Sequence, residues 1–284
     1  MKTHETLESK LGDIPPKILE QIISTITDFS VLIIFDEETH GSGTLIKCAD
    51  KYGILTAYHV VNKLPQNTLG SKDKLRLVLD NRGPKLFSTP VETLKYEVIG
   101  NPVLPEKGPD LAFIEIPKGE PLGTLKSIKS FYDIESHRRS KLEYTENDGD
   151  LWAFFFSPKE YRKVIDSKNN YYRIKYAGFI VYTEPLKRYK EFGFDFVEVG
   201  VKRGENNVAP DHFGGSSGGG LWKIRLEVRG LKYENSKPTL AGVLFYQTPY
   251  KNGECRIRCH GPKSIYEVLY KKLSAIKPNS GESK

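Results

Sequence analysis

Cysteine is scarce in this chain. The 284 residues hold three, Cys48, Cys255 and Cys259, and an odd number does not build the disulfide framework of a small secreted domain. Cys255 and Cys259 fall in one predicted strand, Glu254-Cys-Arg-Ile-Arg-Cys259. Four residues of strand separate them by roughly 13 Å, beyond the reach of a disulfide. A metal site made of these two with His260 is conceivable, but the spacing fits no common zinc pattern. Reduced, non-ligating cysteines are expected, with no metal and no cofactor. Long apolar runs are also lacking: no stretch approaches the roughly 20 residues that span a bilayer. The first residues, Met1-Lys-Thr-His-Glu-Thr-Leu-Glu8, carry acid where a secretion signal carries its apolar region. The expectation is a cytoplasmic protein with no membrane partner. No internal repeat at a short fixed period is present.

What the chain does contain is ordinary for a globular protein: 38% hydrophobic and 28% charged residues. Its length suffices for a full core, as one domain or two small ones. The net charge is +7, with clusters at His137-Arg-Arg-Ser-Lys141 and Leu186-Lys-Arg-Tyr-Lys190. Such a balance admits nucleic acid as a partner. The basic residues are scattered and no nucleic-acid-binding motif accompanies them, so a solvated basic face is the preferred reading.

Asp13-Ile-Pro-Pro16 precedes Ile18, Leu19, Ile22, Ile23 and Ile26 at helical spacing, and proline suits a helix's first turn. This predicts an N-terminal helical segment within residues 1–29. The pattern then changes. Short runs rich in β-formers follow one another with turn residues between them: Val31–Phe35, Gly43–Ile46, Gly53–Thr56, Leu75–Leu79 and Leu111–Ile116. The second half continues with Leu151–Phe156, Tyr171–Lys175, Gly178–Tyr182, Phe194–Val199, Gly220–Ile224, Ala241–Tyr246 and Cys255–Arg258. Many strands without intervening helices argue for an all-β barrel or sandwich. Glu160–Asn170 and Lys187–Glu191 read as exposed loops. Pro262–Ile276 reads as a helix, with Ile265, Leu269, Leu273 and Ile276 on one face, before a polar tail at Lys277–Lys284.

Three segments carry the chemistry. They are Gly41-Ser-Gly-Thr-Leu-Ile46 with Gly53-Ile-Leu-Thr-Ala-Tyr-His-Val-Val61, Gly108-Pro-Asp-Leu-Ala-Phe-Ile-Glu-Ile116, and Phe213-Gly-Gly-Ser-Ser-Gly-Gly-Gly-Leu-Trp222. A serine hydroxyl is a poor nucleophile at neutral pH. It needs an imidazole to take its proton, a buried carboxylate to hold that imidazole in one tautomer, and N–H groups to receive the developing oxyanion. Ser217 lies in the most glycine-dense stretch, where backbone N–H groups can approach a carbonyl unobstructed. The amides of Gly215 and Ser217 are the oxyanion-hole candidates. His59 stands where a strand hands over to a loop, and Asp110 stands at the mouth of a buried strand. Taken singly, each has a bland reading: a flexible glycine-serine loop, a structural histidine, a turn-forming aspartate. It is their agreement in type and order that carries weight.

Thr56-Ala-Tyr-His59 resembles the Thr-Ala-Ala-His motif of the trypsin-like serine peptidases. Asp110-Leu-Ala resembles that family's Asp-[Ile/Leu]-Ala, and Gly215-Ser-Ser-Gly-Gly219 its Gly-Asp-Ser-Gly-Gly. Gly41-Ser-Gly-Thr and Gly149-Asp-Leu-Trp-Ala-Phe are similar to the bacterial branch that includes the HtrA proteases, here without a PDZ-like module. The resemblance spans roughly residues 30–275. It implies two six-stranded β-barrels, about 30–120 and 140–262, a C-terminal helix at 263–276, and a catalytic triad of His59, Asp110 and Ser217 in the cleft between the barrels. It also implies a serine endopeptidase acting on a protein or peptide substrate through an acyl-enzyme. By the same resemblance Asp211, six residues before Ser217, stands at the base of the primary specificity pocket, which implies cleavage after arginine or lysine. Tyr246 and Gln247 fall on the substrate-binding strand. Phe245-Tyr-Gln replaces the family's Ser-Trp-Gly, so Asp110 lacks that strand's supporting serine and must find other donors.

Ser216 occupies the position where trypsin-type enzymes carry aspartate. A new N-terminal amine released by cleavage would have no charged partner there. Control is therefore expected in the loops near Gly214 or through a regulatory protein partner that orders them. Two other functions fit less well. A catalytically silent member of this fold could serve as a protein-binding module. An α/β-hydrolase would read Gly214-Gly-Ser-Ser-Gly218 as G-x-S-x-G centred on Ser216, but it needs alternating strands and helices, and an acid and a histidine after the serine.

Overall fold

The structure is a computed structural model. It describes residues 11–12, 14–35, 38–62, 74–79, 86–142, 150–156, 163–168, 171–175, 179–202, 212–229, 232–235 and 238–275. The first apolar periodicity forms helix α1, Pro16–Phe29, with proline in its first turn. Ile22 and Ile26, one turn apart, are fully buried. Where the helix ends, β-branched residues take over as β1, Ser30–Phe35, which the core covers on both faces.

Strands then follow in two sets, as their alternation with turn residues dictates. The first comprises β1, β2 (Glu38–Cys48), β3 (Lys51–Thr56), β4 (Lys74–Val78), β5 (Leu86–Pro90), β6 (Lys95–Gly100) and β7 (Leu111–Glu115), with the short β8 (Tyr132–Asp133) set parallel to β2. Their order is β5-β4-β1-β2-β3-β7-β6, a half-barrel. The second set comprises β9 (Asp150–Phe156), β12 (Phe179–Glu191), β13 (Phe194–Lys202), β14 (Gly220–Arg229), β15 (Lys232–Asn235), β16 (Thr239–Gln247) and β17 (Glu254–His260). Its order is β15-β14-β16-β17-β13-β12-β9, and β14 also pairs with β9, closing a barrel of six strands. The all-β, two-barrel expectation therefore holds, with the first barrel open among the described residues.

Two expected loops are strands. Lys163–Lys168 is β10, paired with β11 (Tyr171–Lys175). Lys187–Glu191 is the far end of β12, paired with β13 through Glu191↔Phe194. The lysines there hid a strand whose two faces both find packing: Tyr189 stacks on Phe196 at 5.1 Å, and the neighbouring Arg188 lies over Trp152. Short helices also stand at Tyr58–Val61 (α2), Glu120–Lys126 (α3) and Ile134–Leu142 (α4). The C-terminal helix begins as a π-helical turn, Ser264–Leu269, and continues as α5, Tyr270–Ala275. Tyr266 sits fully buried in that turn, its hydroxyl bonded to the Leu240 carbonyl at 2.8 Å. No helix among the described residues is long and apolar enough to cross a membrane.

Phe29 stacks on Trp222 at 5.5 Å and meets Tyr132 edge-on at 5.7 Å. Trp222 belongs to β14 and Tyr132 to β8, so the end of α1 packs against both sheets. The three cysteines are buried and none is in a disulfide. Burial pushes the Cys48 thiol up to about 12 and raises that of Cys259 as well.

Candidate active site

His59 follows β3 after the extended Ala57 and lies in α2, so the strand gives way to a single helical turn rather than the expected loop. Val60 and Val61 are fully buried and pin that turn to the first sheet. Asp110 precedes β7, one residue before the pairing of Leu111 with Gly100. Its carboxylate meets His59 twice. Asp110 Oδ1 accepts the His59 backbone N–H at 2.9 Å, and Oδ2 lies 2.5 Å from His59 Nδ1. The aspartate side chain is 2% exposed and the histidine side chain 37% exposed. A buried acceptor on Nδ1 places the proton there and leaves Nε2, the other ring nitrogen, as a base.

Asp110 finds a donor other than the strand serine that the family carries. The His59 backbone amide supplies one of its hydrogen bonds, and the imidazole supplies the second.

Ser217 sits in the second of two consecutive tight turns that share Ser216. The Ser216 N–H donates to Phe213 O at 2.9 Å, and the Gly219 N–H to Ser216 O at 2.8 Å. Each turn carries a glycine of positive φ at its third position, Gly215 at 97° and Gly218 at 88°. That conformation favours glycine on steric grounds. Gly218 also has no room for a side chain, since a Cβ there would lie 2.0 Å from Thr56 Oγ1 and 2.2 Å from Ser42 O.

Ser42, in β2, holds this loop to the first sheet. Its N–H donates to Ser217 O at 2.8 Å, its hydroxyl donates to Gly215 O at 2.7 Å, and its carbonyl accepts the Thr56 hydroxyl at 2.8 Å. Thr56 stands three residues before His59. Gly41 completes the junction: a Cβ on it would strike Val60 at 2.6 Å and Ser217 O at 2.7 Å. The residue after the histidine and the backbone of the serine thus press against one glycine. From the other side, the Gly218 N–H donates to Leu244 O at 2.7 Å, and the Leu244 N–H to Gly219 O at 2.9 Å. Ser217 is half-buried. Among the described residues its hydroxyl makes no hydrogen bond to His59. Catalytic hydrogen bonds are often long in ligand-free sites and tighten with substrate. The amides of Gly215 and Ser217 likewise take no protein acceptor among the described residues.

Asp211 lies outside the described residues. Tyr246 is half-buried, with the Arg258 guanidinium 5.6 Å from its ring centre. Gln247 Oε1 accepts the Phe213 N–H at 2.8 Å, so its side chain ties the substrate-strand candidate to the loop that carries Ser217. The idea of a metal site at Cys255, Cys259 and His260 fails on strand geometry. Neighbouring side chains on a strand point to opposite faces. Cys255 and Cys259 pack among Val197, Val199 and Phe213, whereas His260 Nε2 accepts the Asp110 N–H at 3.0 Å. No cluster of potential metal ligands occurs among the described residues.

Sequence reasoning did not assign Ser42 or His260 their places. Ser42 stood inside a quoted motif, Gly41-Ser-Gly-Thr, but nothing in the sequence said which groups its hydroxyl would meet.

No family model matches the chain, and no curated protein matches it. Among solved structures, it is similar to kallikrein-related peptidase 10, at 15% identity and a TM-score of 0.47, over 88% of this chain and 97% of that one. It is also similar to neuropsin, a serine protease expressed in the limbic system of mouse brain, at 14% identity and a TM-score of 0.44, over 87% of this chain and 95% of that one.

Proposed function

We propose that this chain is a serine endopeptidase with His59, Asp110 and Ser217 as its triad and the amides of Gly215 and Ser217 as its oxyanion hole. One observation carries the reading: a buried aspartate bonded to Nδ1 of a half-exposed histidine, on a sheet clamped through Ser42 to a serine in a double glycine turn.

The chemistry follows from those positions. Ser217 Oγ attacks the scissile carbonyl carbon while its proton passes to His59 Nε2. The carbonyl π pair moves onto oxygen, where two backbone N–H groups stabilise it. Asp110 keeps its charge and stabilises the imidazolium; it does not take the proton. Collapse of the tetrahedral adduct breaks the C–N bond, and the departing amine takes the proton from Nε2. Water repeats the sequence on the acyl-serine, with His59 again as base. The products are a carboxylate and an amine.

The preference for cleavage after arginine or lysine rests on Asp211 alone. Gln247, bonded to Phe213 N, bounds the space available to the substrate side chain near that loop. A library of unstructured peptides, incubated with wild type and with Ser217→Ala and read by mass spectrometry, tests both points. Wild-type cleavage that vanishes in the variant supports the protease reading. Enrichment of arginine and lysine before the cut supports the preference, and enrichment of small apolar or acidic residues there overturns it. Cleavage by Ser217→Ala at the wild-type rate overturns the mechanism.

A further inference from the structure

His260 ends β17 and is fully buried. Its ring lies among Phe245, Phe196 and Phe194, with centroids 5.1, 5.2 and 5.6 Å away. Its one hydrogen bond among the described residues is to the triad aspartate: Nε2 accepts the Asp110 backbone N–H at 3.0 Å. Nδ1 has no partner. Aromatic walls and an unpaired ring nitrogen make this an expensive place for an imidazole, so the single bond it makes calls for an explanation.

The Asp110 amide needs that acceptor. Asp110 is 1% exposed, and the β6–β7 ladder begins one residue later, so no strand neighbour takes its N–H. A buried amide without an acceptor is unfavourable, and this backbone would turn to find one. Such a turn would move the carboxylate that holds His59.

We propose that His260 is a positioning residue for the triad: as a neutral imidazole protonated on Nδ1, it fixes the Asp110 backbone through Nε2 and so sets where the carboxylate meets His59. Neutrality is part of the device. An imidazolium has no lone pair on Nε2 and could not accept the Asp110 amide. It would also place a second cation beside the charge that His59 relies on. Burial among the phenylalanines depresses the basicity of His260, to about 4, even though Asp110 and Asp195 both raise it. The site thus pairs a half-exposed histidine that can exchange protons with a buried one that accepts one fixed bond.

The inference rests on the protease reading for its kinetic consequence, but its geometry can be tested without activity. In wild-type protein labelled with 15N-histidine, NMR is expected to show His260 protonated on Nδ1 with Nε2 as an acceptor, together with a downfield proton from the His59–Asp110 bond. A His260 protonated on Nε2 overturns the proposal. His260→Leu keeps an apolar side chain there but cannot accept a bond, whereas His260→Gln can accept one through its amide oxygen. The downfield proton should shift or vanish in His260→Leu and return in His260→Gln. In peptide hydrolysis, kcat should fall by about 10²-fold in His260→Leu, the scale of a sub-ångström to ångström misplacement, with KM little changed and substantial recovery in His260→Gln. An unshifted downfield proton in a folded His260→Leu protein overturns the proposal, as does unchanged kcat. If wild type shows the expected NMR signature yet hydrolyses no peptide, the protease reading fails while the positioning of Asp110 stands.

Discussion

The Ser42 hydroxyl donates to the Gly215 carbonyl at 2.7 Å, joining residues 173 positions apart in the chain. That carbonyl belongs to the Gly215–Ser216 peptide, which joins the two peptides carrying the oxyanion-hole candidates, the N–H groups of Gly215 and Ser217, so the bond restrains the backbone between them. In Ser42→Ala the Gly215 carbonyl is left buried without this donor, a loss of about 1–3 kcal/mol. The urea midpoint should fall accordingly. Peptide hydrolysis should drop by about tenfold or more, mostly in kcat. A change confined to KM would mean the clamp serves binding rather than the transition state.

Two glycines of the serine loop, Gly218 and Gly214, should respond differently from each other. Gly218 combines a φ of 88° with a Cβ position 2.0 Å from Thr56 Oγ1, whereas Gly214 has nothing within 4 Å. Gly218→Ala is expected to lose activity and several kcal/mol of stability, since backbone strain of about 1–2 kcal/mol adds to the clash. Gly214→Ala is expected to change stability by less than about 1 kcal/mol. Thermal unfolding of the pair measures the contrast, and equal effects would contradict the loop geometry.

Stability should depend on pH through His260. Its imidazole ordinarily takes a proton near 6.5 but is held to about 4 in the folded protein. Below 6.5 the unfolded chain therefore binds a proton that the folded chain refuses, and stability falls as pH drops from 6.5 to 4. Below that window both states carry the proton, and this group adds no further slope. The contribution is roughly 3 kcal/mol across the window. Denaturant titrations at several pH values should show a shallower decline in His260→Gln than in wild type, and parallel curves would refute the assignment.

How far these residues could be read beforehand differed by kind. Strands with strong alternation or β-branched runs, such as Leu111–Ile116 and Ala241–Tyr246, stood out because burial on one or both faces leaves a pattern. Lys163–Lys168 and Lys187–Glu191 did not, since their lysines mask pairing that depends on partners elsewhere in the chain. The triad candidates were legible as motifs, and the His59–Asp110 bond agrees with them. The bond from the Asp110 amide to His260 spans 150 positions, and no local spacing announces it. Ser42 was visible as a residue and invisible as a clamp for the same reason. Which side chains meet across two sheets is set by register and closure, quantities that a linear pattern does not contain.

The N-terminal helix should act as structure and not as a switch. Ile22 and Ile26 are fully buried in the core, and Phe29 stacks on Trp222. Removing residues before Phe29 should cost about 1.5–3 kcal/mol for each buried isoleucine. The expected result is a lower melting temperature and no gain in turnover. A truncated protein that is both stable and faster by orders of magnitude would show that cleavage activates it.

The most direct test of the central claim is covalent labelling with a fluorophosphonate. Such a probe reacts with a serine only when a neighbouring base and oxyanion donors activate its hydroxyl. Intact wild-type protein should gain one adduct, and peptide mapping should place it on Ser217. Ser217→Ala and His59→Ala should remain unlabelled while folding as wild type does. Failure of folded wild-type protein to label, or an adduct mapped to Ser216 or another serine, would contradict the account.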